Sequence, residues 1–479
     1  MYDQAKWHPY DNMRSDAFGV AIAVSADLAI IGAYGNEDFG PQSGSAYLFE
    51  IPSGLQRAKL LSPNGDPYDY FGLDVGIDGQ YAIVGANGDD THGSEAGAAY
   101  LFDTSTGALL YDLVPQDIAA GDKVGPVGID GTIAVVGAYE HSIDLEKVGA
   151  AYLFRAETGE QTHKLVASDG QAVDHFGGDV ALHGNVVIVG APSDDDNGPQ
   201  SGSAYLFDAA TGAQTAKLLA ADGTGDDLFG MTVDTNGVVA VIGAEGHDRG
   251  GQSYFNFGAA YLFDVATAAQ VAKLAPSDGD RAERFGGSVA IDGNRAVIGS
   301  VYDGDNGPNS GSAYLWDVTT VEPIGKFLAT DGRPGVLFGG EVAIRGDAVV
   351  IGATEDYDNG SKAGAAYYYD LALVGTGMRL DISPLVAGRD GRFIVTGARP
   401  NKTAWLAYSL IGPGSTYVPT LDVTLNLATP QQAAPPRAAD ANGDVEWLLP
   451  IPTRARSQRG WFQACQRRAV SNSWLSVVR

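Results

Sequence analysis

Residues 176–208 read FGGDVALHGNVVIVGAPSDDDNGPQSGSAYLFD, and the chain writes this stretch out repeatedly. A Phe-Gly pair opens the unit. A run of small and β-branched residues follows, then a Gly-Ala pair, an acidic turn and an Ala-Tyr-Leu-Phe segment. The opening pair recurs at Phe18-Gly19, Phe71-Gly72, Phe229-Gly230, Phe285-Gly286 and Phe338-Gly339, with a degenerate copy at Val124-Gly125. Counted from Gly19, successive starts lie 53, 53, 52, 53, 56 and 53 residues apart. Self-similarity at this period marks a propeller or another stacked array.

Each unit carries four strand signals. In the fourth unit they are Gly178 to Leu182, Val186 to Gly190, Ser203 to Asp208 and Thr215 to Leu219. The first two are joined by His183-Gly184-Asn185, and Asp292-Gly293-Asn294 and Asp78-Gly79-Gln80 hold the same place. Such sequences supply the positive φ of short hairpin turns. Four short antiparallel strands per unit, seven times over, predict an all-β, seven-bladed propeller rather than a β-helix with its shorter rungs. No unit shows the 3.6-residue apolar period of a helical solenoid. The first strand, built of Gly, Ala, Val and Ile, suits the crowded axis. The Phe of each Phe-Gly pair is expected to fill the wedge between neighbouring sheets, and the repeated Tyr and Phe of AYLF to be core.

The ends of the repeat predict how the ring closes. The last unit runs through AAYYYDLA at 365–372 but has no AKL-type outer strand, while an orphan strand, Gln4 to Trp7, precedes the first Phe-Gly. Unpaired edges are a liability, so the N-terminal strand is expected to complete the seventh blade as a clasp. The propeller should span 1–373. Beyond a short Gly-containing join the repeat stops and Arg and Pro become frequent. Residues 378–479 carry seven strand signals, at 379–383, 392–396, 403–411, 421–427, 444–450, 460–466 and 474–478, and are expected to form a small β-sandwich.

Composition narrows the function. Thirty basic residues face 59 acidic ones, a formal charge of −29. That balance argues against nucleic acid and anionic membrane surfaces as partners and favours cation attraction. The single cysteine, Cys465, excludes an intrachain disulfide framework and a Cys-rich zinc site. No apolar run approaches the roughly 20 residues of a membrane span. The N-terminus has no apolar h-region and reads as the tail of a repeat, as in a trimmed product whose export signal lay elsewhere.

Polar residues repeat in register in one place, the loop after each Gly-Ala pair. The fourth unit has Asp194 and Asp196 before Gly198, the sixth Asp303 and Asp305 before Gly307, and the seventh Asp356 and Asp358 before Gly360. The second keeps Asp89 and Gly93, and the first has Asn36, Asp38 and Gly40. Carboxylates so spaced could wrap a hard cation, so these six aspartates are the candidate calcium ligands. The competing reading is an Asx turn with Gly in the left-handed position on a solvated acidic rim. The third unit has lost the pattern and presents His141, and the fifth substitutes His247 and Arg249. His175 and His183 read as surface or turn residues. No G-x-S-x-G, H-E-x-x-H or P-loop occurs.

The Phe-Gly opening, the Gly-Ala pair (Gly190-Ala191-Pro192 in full form) and the AYLF strand resemble the FG-GAP repeats of the integrin-α N-terminal type, over about residues 1–372. The resemblance implies a seven-bladed propeller. The calcium loop of the integrin-like repeats precedes the GAP segment, where this chain has only a short turn such as Asp292-Gly293-Asn294. No calcium residue therefore carries over, and the acidic loops after Gly-Ala are a separate feature. The resemblance, together with the absence of catalytic motifs, predicts a non-catalytic adhesion, recognition or scaffold protein of the cell surface or extracellular space. Such a protein is expected to be monomeric, with a protein or glycan ligand. The alternative is a propeller-based polysaccharide-active enzyme, a lyase or hydrolase, which would need unique His, Tyr, Arg or carboxylate groups breaking the sevenfold pattern on a concave central face.

Overall fold

The computed structural model describes residues 4–373, except 144–145, 249–255, 277 and 280–281, and beyond them strand segments between 379 and 477. Residues 4–369 form one compact unit and 370–479 belong to another.

The first unit holds seven four-stranded antiparallel sheets. They are numbered here as blades 1 to 7 in the order of their Phe-Gly pairs. Blade 4 is typical: Val180–His183 is innermost, followed outward by Val186–Ala191, Ser203–Asp208 and Gln214–Leu218. Each strand lies within two residues of its sequence expectation. The blade ladders are hydrogen-bonded within themselves, and neighbours meet through a parallel bridge between the glycine before AYLF and the next Phe, such as Gly202↔Phe229.

Side-chain size explains these repeated letters. Phe176 is fully buried and meets Tyr205 and Phe207 at ring centroids of 5.4 and 5.8 Å, edge to face. Gly177 has φ +91°, and a Cβ there would lie 2.3 Å from the Ala150 carbonyl oxygen of the preceding blade. At Gly190 the backbone is ordinary but a Cβ would lie 2.0 Å from the carbonyl oxygen of Gly230 in the next blade. The two glycines thus let adjacent backbones touch, one by conformation and one by lack of bulk.

The clasp forms as expected. Gln4–Trp7 pairs antiparallel with Ala365–Asp370, in the register Gln4↔Tyr369 through Trp7↔Ala366. Trp7 is buried and stacks between Tyr368 and Phe49, at 5.3 and 5.7 Å. A second seam lies alongside: the amides of Ser15, Ala17 and Phe18 donate to the carbonyls of Ser361, Lys362 and Ala363.

In the other unit, Arg379–Ile382, Asp390–Thr396 and Val445–Pro450 form a three-stranded sheet. Thr403–Ser409 pairs with Arg459–Gln466, which also pairs with Trp474–Val477, and Thr416–Val418 pairs with Val423–Leu425. All seven strand signals fall on these strands.

Candidate functional site

The acidic loops fold back on a lysine. Asp194 and Asp196 sit on the loop leaving the second strand of blade 4, and the outermost strand carries Lys217 opposite Tyr205. The Lys217 ammonium lies 2.9 Å from Asp194, 2.7 Å from Asp196 and 2.9 Å from Asp169, the last arriving on the segment before Phe176. Blade 6 repeats the cluster, with Lys326 at 2.7 Å from Asp303, 2.8 Å from Asp305 and 3.1 Å from Asp278. Blade 7 does so through the clasp: Lys6 lies 2.8 Å from Asp356, 2.6 Å from Asp358 and 2.8 Å from Asp331.

In each of these blades the first Tyr of the third strand sets its hydroxyl 3.0–3.3 Å from two of the carboxylates, its one proton shared between them. The ammonium rides 4.8–5.2 Å above that ring. Burial alone would lower the lysines, but the surrounding carboxylates outweigh it and raise all three. The loops are also Asx turns, since Asp194, Asp303 and Asp356 each accept the amide two residues on. The six predicted aspartates are therefore brought together in three pairs, with a lysine ammonium seated against each pair. The lysine was the functional residue missed, and its signal was the repeated AKL.

His8, Asp356 and Asp358 place one donor atom each within 4.8 Å of one another, so this cluster could hold a metal ion. In blades 3 and 5 a histidine joins the lysine. His141 Nε2 is 2.8 Å from Lys164 and its Nδ1 2.8 Å from buried Asp122. His247 repeats this with Lys273 and Asp227, at 2.5 and 2.9 Å. Arg249 lies outside the described residues.

The second candidate is the axial channel, about 430 Å³, lined by the inner strands. Inner-strand residues alternate between the blade interfaces and the channel. At the end near the Phe-Gly pairs the channel-facing residues, blade by blade, are Ala21, Asp74, Pro126, Asp179, Thr232, Ser288 and Glu341. Two positions along, Gly and Ala prevail except for Asp234. At the far end lie Asp78, Asp130, His183 and Arg345.

Many of these side chains brace one blade to the next. Asp74 accepts the Val127 amide at 2.7 Å, Asp179 that of Val233 at 2.7 Å, Asp234 that of Ile291 at 2.7 Å, and Ser288 that of Val342 at 3.0 Å. The carboxyls stand half-buried in the channel wall, and loss of solvation there lifts Asp74, Asp179, Asp234 and Glu341, with like charge across the channel adding to it at Asp179 and Glu341. Asp74 is pushed up to about 6, Asp234 to about 7 and Asp179 to about 8, and Glu341 is raised well above the usual carboxylate range. None of these carboxyls was singled out in the sequence, although FGLD, FGGD and FGGE set three of them at one register position.

Around the channel mouth the backbone repeats while the side chains differ. The residue before each Phe-Gly is left-handed, with φ between 50° and 58°, yet the series reads Ala17, Tyr70, Lys123, His175, Leu228, Arg284 and Leu337. Several meet the residue that follows Gly-Ala in the preceding blade: Tyr70 meets Tyr34 at 6.1 Å, His175 meets Tyr139 at 6.2 Å, and Arg284 reaches Glu245 at 3.3 Å. His175 also pairs with Ser193 at 3.0 Å.

Comparison with known proteins agrees with this geometry. No curated protein matches the chain. The family model of the FG-GAP repeat matches residues 2–49, 55–102, 160–207, 213–263, 268–316 and 322–369. The gap between the second and third matches holds the blade whose Phe-Gly has become Val124-Gly125. With more than half of its length matched and the repeats built as seven blades closed by a clasp, this chain belongs to the FG-GAP repeat family.

Proposed function

We propose that this chain is a non-catalytic binding protein of the cell surface or extracellular space. Its ligand, a protein or a glycan, would be taken on the propeller face where the Phe-Gly ends of the inner strands surround the channel. One observation carries the reading: seven copies of one left-handed backbone position present six different residue types. Fold requirements act alike on all copies and would select alike. Variation at a backbone position that is otherwise held fixed is what a recognition surface needs, and strained backbone clusters at such surfaces. The β-sandwich reading of 378–479 belongs to the same proposal, supported by its described strands, which pair in a three-stranded, a six-stranded and a two-stranded sheet.

An array of glycans and a panel of extracellular proteins, probed with the full chain, test this. A ligand whose binding weakens in Tyr70→Ala and His175→Ala, both still folded, is expected. Binding indifferent to both substitutions would overturn the assignment of the face. The enzyme reading is favoured by Asp179 and Glu341, since carboxyls raised in a channel suit a general acid. Shorter or unsaturated products from a bound polysaccharide would establish it.

Calcium at the rim is favoured by the convergence of His8, Asp356 and Asp358, although the imidazole suits a borderline ion such as zinc better. An ion at Asp194/Asp196, Asp303/Asp305 or Asp356/Asp358 has to displace a lysine. If calcium binds there, millimolar calcium raises the melting temperature by linkage, and more so in Lys217→Met, where the competitor is gone. An unchanged melting curve in both proteins, with no heat in calorimetry, would sink the calcium reading.

A further inference from the structure

One blade breaks the rim pattern. In six blades the outermost strand sets a lysine opposite the first Tyr of the third strand: Lys59 opposite Tyr47, Lys164 opposite Tyr152, Lys217 opposite Tyr205, Lys273 opposite Tyr261, Lys326 opposite Tyr314 and Lys6 opposite Tyr367. Every one of these ammonium groups lies 4.8–5.7 Å from the centre of its Tyr ring and within 2.6–3.1 Å of a carboxylate. In blade 2 the residue opposite Tyr100 is Asp112.

The rest of the blade-2 cluster is retained. Asp89 is fully buried and accepts the Tyr100 hydroxyl at 2.6 Å, as Asp194 does from Tyr205 in blade 4. His92 Nε2 lies 3.2 Å from Asp112 Oδ2. The other oxygen, Asp112 Oδ1, is buried with no hydrogen-bond partner among the described residues. Blades 3 and 5 give the closest comparison, because each gathers a histidine and two aspartates around its lysine. Blade 2 has a histidine and two aspartates and lacks the lysine. A buried acceptor left unpaired is costly, and a carboxylate more so. The side chains of His92 and Asp112 remain 27% and 32% exposed, so the cluster borders solvent, although Asp112 Oδ1 and Asp89 are themselves covered and a ligand reaches them only as the exposed side chains turn aside.

We propose that blade 2 binds an alkylammonium group from outside the chain, seated where the other six blades carry their own lysine. The ammonium would donate to Asp112 Oδ1 and Asp89 and lie over the face of Tyr100, the geometry seen at the six lysines. A protein lysine side chain and an amino sugar share this chemistry. The inference does not depend on the ligand face proposed above, since the cluster is on the rim.

Ligand-observed NMR tests it on the full chain at near-physiological salt, where diffuse attraction to an acidic protein is screened. The probes are n-butylammonium and glucosamine, with n-butanol as the uncharged control. Saturable binding of at least one ammonium probe, and not of butanol, is expected. Asp112→Lys installs the residue of the other blades and should fold as they do, abolishing the binding. Asp112→Asn keeps the shape and should weaken it roughly tenfold, as expected for a lost charge-assisted hydrogen bond. Preference for butylammonium identifies a lysine-bearing partner, and preference for glucosamine an amino sugar. No saturable binding, or equal binding by wild type and Asp112→Lys, would overturn the proposal. So would zinc binding lost in Asp112→Lys without any binding of the ammonium probes, which would make the cluster a metal site.

Discussion

Deletion of residues 1–10 is expected to lower the stability of the propeller by about 5 kcal/mol or more, a large share of what holds a domain together. Three losses combine. The seventh blade loses the strand paired along Gln4 to Trp7, baring the backbone of Ala365–Asp370. The stack of Trp7 between Tyr368 and Phe49 disappears, and removing a buried aromatic typically costs about 3–5 kcal/mol. Lys6 goes as well, leaving Asp331 and buried Asp356 without their cation and Asp358 with Arg333 alone, at 3.2 Å. Trp7→Ala keeps the strand and the lysine, so it should show only part of the loss, about 3 kcal/mol. Denaturant unfolding gives the energies, and hydrogen exchange gives the cause: amides of 4–7 should be protected together with those of 365–370. The second seam at Ser15, Ala17 and Phe18 survives the deletion and should keep the mutant ring partly closed, with aggregation through its bared edge. Free exchange of the first ten residues, with no loss of stability on their removal, would show that this seam alone closes the ring.

The second large effect is a maximum of stability in mild acid, near pH 5. Asp74, Asp234, Asp179 and Glu341 are all raised in the folded ring, to about 6, 7 and 8 for the aspartates, against ordinary values of 3.8 and 4.5. Between about pH 4 and pH 8 the folded protein therefore binds more protons than the unfolded chain, and stability falls as pH rises through that window. The rim carboxylates act in the opposite sense. Burial would raise Asp169, Asp278 and Asp331, but the lysine at each outweighs it and holds them below 3.8. Their contribution is present above that value and fades as pH falls below it. A tenfold change in a proton's binding constant corresponds to about 1.4 kcal/mol, and allowing for water in the channel the loss from pH 5 to pH 8 should be about 3 kcal/mol. Urea midpoints at pH 5, 6.5 and 8 measure it. Asp179→Asn should flatten the slope whatever it costs in absolute stability. A midpoint constant from pH 5 to pH 8 would mean that the axial carboxyls titrate normally.

The fold was legible because its requirements are local and repeated. Phe-Gly and Gly-Ala mark where backbones of neighbouring blades touch, and steric demands of that kind permit few residues. The orphan strand at Gln4 to Trp7 announced the clasp through a count of strands. The site was less legible, for two physical reasons. A carboxylate pair looks the same in sequence whether a metal ion or a lysine answers it. The lysine that answers Asp194 and Asp196 lies 21 residues or more away, on a strand read only for its leucine. The axial carboxyls were hidden differently: Asp74, Asp179 and Glu341 become neighbours only when the ring closes, so no single unit reveals that they share a channel. The unusual blade was also visible in principle, as LLYD at 109–112 where other units write AKL. It went unread because an outer strand, taken as mere sheet edge, gives no reason to compare its polar positions.

The clasp also fixes how this ring responds to force. Gln4 and Tyr369 are direct partners at the same end of an antiparallel pair, so tension applied through residues 4 and 370 pulls the two strands apart at that end. The ladder then opens one pair at a time, as a zipper does, instead of resisting as a row of bonds loaded together in shear. Such a joint yields at low load. Tension that enters at residue 370 and leaves through another blade bypasses it, because Ala365–Asp370 is also bonded to Ala348–Ala353 on its other side.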